Sequence, residues 1–363
     1  MMCCCAGPTA TAGSGPFAPR ETAAPRPGRE RAAALARAQT WMDAHAHPGR
    51  CFLLDLPPDD PFVRLLGTPD VEQACADLAA GGLGLATFAT VGDLRVLTVT
   101  AEAGIRAGRA FAPGEAAADH RRQLATVGRA ATASGRRLVR AAADLRAPAD
   151  AGLGVVLTCE GADFLEGRLD GLQDAYDRGV RSITLVHYRV NELGDIQTEP
   201  PVHGGLTAFG ADVVREMNRL GMVIDLAHAP WSVTRDVLGR TAAPVMISHS
   251  HLVRGAAPHP RLLSAEHALA VARAGGVVAA WPAGVALATF DEYVDEILRM
   301  VDLLGVEHVA IGTDMDANYR PVLSSYRQIP DLAAALLARG AGEADVGRIL
   351  GGNVVGLFAG VLG

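Results

Sequence analysis

From about residue 40 onward, short apolar runs alternate with longer stretches in which apolar positions return every three or four residues. The short runs fall at 40–45 (TWMDAH), 83–89 (LGLATFA), 153–158 (LGVVLT), 181–186 (RSITLV), 222–227 (MVIDLA), 244–248 (PVMIS), 276–281 (GVVAAW) and 307–312 (EHVAIG). They are continuous rather than half-polar, the pattern of strands buried on both faces. Between them, 207–220 (TAFGADVVREMNRL) sets Phe209, Val213, Met217 and Leu220 on one helical face, and Gly221 is a plausible stop. Strands alternating with helices in this number predict an α/β fold of the closed (β/α)8 TIM-barrel type. An open doubly wound sheet is the second choice, weakened because no G-x-G-x-x-G follows any of the runs.

Two segments depart from the alternation. Residues 95–150 carry mostly helical pattern and predict a helical insertion between strands two and three. Residues 1–38, rich in Ala, Pro, Gly and Arg, lack an apolar core segment and predict a disordered leader ahead of a single barrel domain at 39–363. Composition narrows the partners. Apolar residues make up 49% of the 363, and the formal net charge is -7. That acidity, with no basic stripe, argues against nucleic acid. No run reaches the roughly 18 apolar residues of a membrane span. Cys3, Cys4 and Cys5 are adjacent and Cys51, Cys75 and Cys159 scattered, which fits reduced thiols and a cytoplasmic protein rather than a disulfide framework.

The strand ends carry the chemistry. In such a barrel, polar residues at the C-terminal ends of strands converge on one mouth. Here the first run ends in an H-x-H pair, His45 and His47, and the third in Glu160. His187, His228 and His249 close the fourth, fifth and sixth, and Asp314 with Asp316 follows the eighth. Any one histidine after a strand is explained by a structural hydrogen bond. So many ionisable groups buried together need a metal or a mutual role. The joint pattern points to a metal-dependent hydrolase. Asp43 and Asp225, inside strands, are candidates to orient ligand histidines. His203, His251 and His259 fit solvated or structural loop positions, and His120, His267 and His308 surface or helix positions. Trp281 suits either a pocket wall or the core.

These residues lie in blocks, "EGADFLEG", "ITLVHYRVNELGD", "HGGLTAFGADVVREMNRLGMVIDLAHAPWSVTRDVL", "APVMISHSHLVRGAAPHPRLLS" and "VAIGTDMD", that resemble the renal (membrane) dipeptidase family of zinc peptidases. The similarity is dense from about 150 to 320, extends to "ILGGNVVGLF", and is thinner from 41 to 150. The resemblance implies a barrel holding two Zn²⁺ ions. Glu160 would bridge them, with His228 and His249 on one ion and His45 on the other. His187 would contact the scissile carbonyl, Arg261 would hold the substrate's free carboxylate, and Asp314 would shuttle the proton. One position departs: the family carries H-x-D where this chain has H-x-H, so His47 stands where an aspartate is expected. Imidazole also binds zinc, so His47 counts among the expected metal ligands.

The reaction this implies is hydrolysis of a dipeptide by a metal-bridging hydroxide, with Asp314 and His187 catalytic and Arg261 restricting the enzyme to short substrates. The H-x-H change keeps a second reading open, a related amidohydrolase acting on a lactone, cyclic amide or natural-product intermediate. A barrel that binds metal without turnover is the non-enzymatic alternative. A small-molecule dipeptide is the expected partner, with no nucleic acid and no membrane. A homodimer is compatible with the sequence, but no interface is legible in it.

Overall fold

The structure is a computed structural model that describes residues 26–100, 104–146, 151–255 and 259–363. Cys3, Cys4 and Cys5, and the leader up to residue 25, lie outside the described residues. Among the described residues eleven strands occur: β1 (Trp41–Asp43), β2 (Leu83–Val91), β3 (Leu97–Thr100), β4 (Gly104–Ala107), β5 (Arg137–Leu138), β6 (Gly154–Glu160), β7 (Val180–Thr184), β8 (Val223–Asp225), β9 (Met246–Ser250), β10 (Val277–Ala280) and β11 (Val309–Ile311). Eight of them pair in the order β1-β2-β6-β7-β8-β9-β10-β11, every neighbour parallel. The two ends of that path meet: Ala44 N–H donates to Ile311 O at 3.0 Å, and Asp314 N–H to His45 O at 2.9 Å. This is the (β/α)8 barrel the apolar runs predict.

The helices are α1 (Arg29–Ala38), α2 (Pro61–Leu66), α3 (Val71–Ala80), α4 (Glu115–Thr132), α5 (Asp170–Asp177), α6 (Ala208–Leu220), α7 (Trp231–Leu238), α8 (Ala265–Arg273), α9 (Phe290–Leu304), α10 (Ile329–Ala338), α11 (Glu343–Gly347) and α12 (Asn353–Leu362). Their ends follow local chemistry. Thr207 accepts the Gly210 N–H at the start of α6, Ser264 that of His267 at α8 and Thr289 that of Glu292 at α9. Gly221 ends α6 in the left-handed region, φ 69°. One face of each long helix is apolar; α9 buries Tyr293, Val294, Ile297, Met300 and Leu304 against the sheet.

Inside the barrel, Met42, Leu85, Val156, Val223, Met246, Ala279 and Ala310, one from each of seven strands, pack with Val354, Leu357 and Phe358 of α12. The helical run Glu343–Leu362 is, by length and composition, apolar enough to cross a membrane, which the sequence reading did not anticipate. Its buried residues Val354, Leu357 and Phe358 seal this end of the barrel. Close backbone approach also shapes the interior: a Cβ on Gly312 would meet Ser248 O at 1.7 Å, so only glycine fits where β11 faces β9.

Two expectations need correction. The stretch 95–150 is not wholly helical: β3 and β4 form an antiparallel hairpin, Leu97 opposite Ala107, before α4 begins. Leu97, Val99 and Ile105 alternate with polar neighbours there, a period of two that outweighs the helical pattern. Nor is all of 1–38 a leader. Residues 29–38 form α1, whose Ala32 is buried and whose Arg29 pairs with Asp331 of α10. Arg26 N–H also donates to Asp331, at 3.0 Å.

Candidate metal centre

The strand-end residues singled out from the sequence, Asp316 excepted, reach one space. β1 stops at Asp43, yet His45 and His47 still project together, ring centroids 5.0 Å apart and edge-on. Glu160, the last residue of β6, sits among the imidazoles. Its Oε1 lies 3.0 Å from His228 Nε2 and 3.4 Å from both His45 Nε2 and His249 Nε2. Its Oε2 lies 3.2 Å from His47 Nε2 and 3.4 Å from His187 Nε2. Asp314 Oδ1 is 3.5 Å from His47 Nε2 and 3.9 Å from His45 Nε2. Two of these residues occupy the left-handed region without being glycine, His228 at φ 64° and Asp314 at φ 56°. Such backbone persists only where surrounding structure enforces it, and it gathers at functional sites.

Outer groups fix the rings. His47 Nδ1 lies 3.0 Å from Ala89 O, which can only accept, so the proton is on Nδ1 and the Nε2 lone pair faces Glu160. Ser248 Oγ donates to Asp225 Oδ2 at 2.6 Å, which leaves it to accept from His249 Nδ1 at 3.0 Å. Asp225 also takes Thr184 Oγ1 at 2.7 Å and the Ser248 and Ala227 N–H groups. Asp43 accepts the Thr313 N–H and hydroxyl and the His45 N–H, tying β1 to β11 beneath the site. Both aspartates thus support neighbours of the candidate ligand histidines.

The electrostatics follow from burial. Desolvation drives His228 and His249 well below the usual imidazole range, so both stay neutral. Burial opposes charge on His45 too, but Glu160 and Asp314 outweigh it and lift it to about 9. Burial would raise Glu160, yet His187, His45 and His228 hold it well below the carboxylate range. Asp314 is raised by burial and by the charge of Glu160.

This arrangement fits divalent cations. His228 Nε2 and His249 Nε2 approach to 3.1 Å, two ring nitrogens facing the same carboxylate oxygen. His45 Nε2 is buried and, among the described residues, closes no hydrogen bond within the geometric limits of one. Buried imidazole nitrogens converging on one carboxylate are a donor set for a divalent cation, whose binding would displace the proton held there. The groups that could hold an ion are His45, His47 and Asp314; His45, Glu160 and His249; and Glu160, His187 and His228. The donor set, imidazole with carboxylate, suits zinc.

His187 differs from the others. Its Nδ1 is 2.6 Å from Asp93 Oδ1, while Asp93 Oδ2 accepts the Tyr188 N–H at 2.9 Å. Burial disfavours a charged ring, but Asp93 and Glu160 raise it to about 9. The sequence reading passed over Asp93, 94 residues from its partner in the chain; its only signal is an aspartate just beyond β2. Arg261 is buried in the same cavity. Nη1 donates to Gln197 Oε1 at 2.8 Å, while among the described residues Nε and Nη2 close no hydrogen bond. Trp281 shares the cavity, its ring 5.2 Å from the guanidinium carbon, so it walls the pocket rather than the core.

The remaining histidines stand apart. His120 stacks on Phe164, His267 meets Thr234 Oγ1 at 2.8 Å, and both are buried helix residues rather than surface ones. His251 is buried as well, and His203 and His308 bond to backbone carbonyls. Asp316 accepts the Gly49 N–H at 2.8 Å, capping the loop after His47.

The profile of membrane dipeptidases, peptidase family M19, matches residues 86–361. The chain belongs to that family. Among its relatives, the dipeptidase aclJ of Aspergillus oryzae is 33% identical over 210 residues, 55% of this chain and 50% of that protein. The dipeptidase verJ of Clonostachys rogersoniana is 34% identical over 192 residues, 51% of this chain and 49% of that one. This family member therefore spans about half the length of the curated relatives it matches. A solved metallopeptidase of Rhodobacter sphaeroides, liganded with a phosphinate mimic of L-Ala-D-Ala, superposes with a TM-score of 0.71 at 23% identity. That match covers 89% of this chain and 99% of the other, and it shows the shared fold.

Proposed function

We propose that the protein is a zinc-dependent dipeptidase in which His45, His47, Glu160, His228 and His249 would hold two ions. The ions would supply Lewis acidity and a water acidified enough to attack at neutral pH. The chain's own groups do the rest. Arg261 offers a terminal carboxylate two guanidinium nitrogens that close no hydrogen bond among the described residues, a grip that favours a free C-terminus close to the scissile bond. His187, with its Nδ1 proton held by Asp93, turns Nε2 toward the cavity, where it can donate to the carbonyl oxygen as charge develops. Asp314, raised by burial and by Glu160, can take a proton at Oδ1 and return it to the departing amine.

The observation that carries this reading is the buried, half-satisfied Arg261 in one cavity with Glu160, His187, His228 and Asp314. A lone metal-binding barrel has no use for it. The His47 substitution favours testing the lactone or cyclic-amide reading alongside. Purified protein, with its zinc counted, should hydrolyse members of a panel of L-L and L-D dipeptides. Turnover of lactones with none of the dipeptides would transfer the site to the second reading.

A further inference from the structure

One side of the cavity differs in chemistry from the rest. The metal-ligand side and the Arg261 side are polar, but opposite them stands an apolar wall: Phe62, Leu65 and Leu66 of α2, Leu97 and Val99 of β3, and Ile105 of β4. Among the described residues on that side, no charged group enters the cavity. The wall is built by the chain segment whose resemblance to the family is thinnest. Asp60 caps α2 by accepting the Phe62 N–H at 2.9 Å, and Pro61 starts it. The hairpin lies over it through a hydrophobic cluster separate from the barrel core, and that cluster reaches Tyr188 and Ala317 on the site's rim. At its base Phe52 meets the His47 ring edge-on, centroids 4.9 Å apart. The apolar surface is therefore continuous with the metal centre.

The wall is incompletely covered by the protein itself. Phe62, Leu66, Val99 and Ile105 are only half-buried, and Leu65 is 37% exposed. Grouped apolar side chains left open beside a site mark a place where a ligand completes the burial. Topology says which part of the ligand. The wall belongs to the loops after β1 and β2, the first two strands of the barrel path, whereas Arg261 follows β9, the sixth. In a ring of eight, the second and sixth positions face each other across the mouth. A dipeptide held by its carboxylate at Arg261, with its peptide bond over Glu160, must extend its amino-terminal residue toward the wall.

We propose that the α2 and β3–β4 wall is the specificity pocket for the amino-terminal side chain, and that the preferred substrates are dipeptides with a large apolar residue there. This rests on the dipeptidase reading and adds to it which position is selected and by which residues. Each side chain buried there contributes in proportion to its apolar area, so leucine and phenylalanine gain most over glycine, and a carboxylate side chain loses.

The test uses zinc-loaded full-length protein and two series of dipeptides, X-Ala and Ala-X, with X as Gly, Leu, Phe, Asp or Lys. In the X-Ala series, Leu and Phe should exceed Gly and Asp by about tenfold or more in kcat/KM. The Ala-X series should vary much less. Leu65→Glu and Val99→Glu, both at positions already open to water, should lower the Phe-Ala to Gly-Ala ratio and raise Lys-Ala relative to wild type. That gain is an outcome which mere damage to the fold does not produce. A flat X-Ala series with measurable turnover overturns this proposal and leaves the dipeptidase reading standing. Absence of turnover on every dipeptide overturns both. A preference that neither variant alters removes the wall from the assignment. A change in mass by sedimentation in the variants, with preference unaltered, shows that a second copy of the chain covers the wall instead.

Discussion

His47 shows how one side chain can be read from sequence in type yet not in placement. The H-x-H spacing indicates two imidazoles sharing a space. Only the structure shows Ala89 O fixing the proton on Nδ1 and turning the lone pair to Glu160. If His47 binds zinc where the family carries aspartate, His47→Ala should retain about one zinc per chain, and His47→Asp should retain two, because carboxylate oxygen also coordinates zinc. Metal counted by plasma mass spectrometry decides it; two ions in His47→Ala would make the residue a bystander. Arg261→Ala should cost kcat/KM about 1.5–3 kcal/mol on a dipeptide with a free carboxylate, and far less on the corresponding C-terminal amide. An equal loss on both would remove the carboxylate grip. Asp93 is a positioning residue: Asp93→Asn should lower kcat about 10–100-fold with KM and zinc content little changed. A loss of zinc in that variant would assign Asp93 to the metal instead. Nothing near Asp93 in the sequence announces it, since its partner His187 comes from another strand end, and only barrel closure joins them.

At the scale of elements, the strands were legible because burial on both faces leaves continuous apolar runs, and observed bounds differ from the expected ones by a few residues at most. The hairpin was not, because its period-two pattern is short and adjoins an 18-residue helix whose periodicity dominates any longer window. α1 was missed for a related reason. It is mostly alanine and arginine, so it carries little hydrophobic signal, and its place is set by α10 through Asp331 and the burial of Ala32. Removing residues 1–38 should therefore lower Tm by several degrees, at about 2–4 °C for each kcal/mol lost, rather than leave it unchanged. Thermal unfolding of the truncated chain checks this. A more local test is Gly312→Ala. With Ser248 O in the way, β11 and β9 must separate. Ser248 holds His249, so both Tm and zinc content should fall.

As a whole, the molecule is a barrel closed at one end by α12 and open at the other onto seven strand-end residues and one arginine. The candidate ligands and their gathering at strand ends were readable in the chain, because each follows its own apolar run. The apolar wall and the hydrogen bonds that fix each tautomer were not, because they join segments far apart in sequence. The central claim, that these residues form a two-metal dipeptidase centre, is tested most directly by adding zinc back to chelated full-length protein while following hydrolysis of Leu-Ala and counting bound metal. The account predicts no turnover without metal and a rise that saturates as occupancy reaches two ions per chain. Full turnover of the metal-free protein, or none at two bound ions, would contradict it.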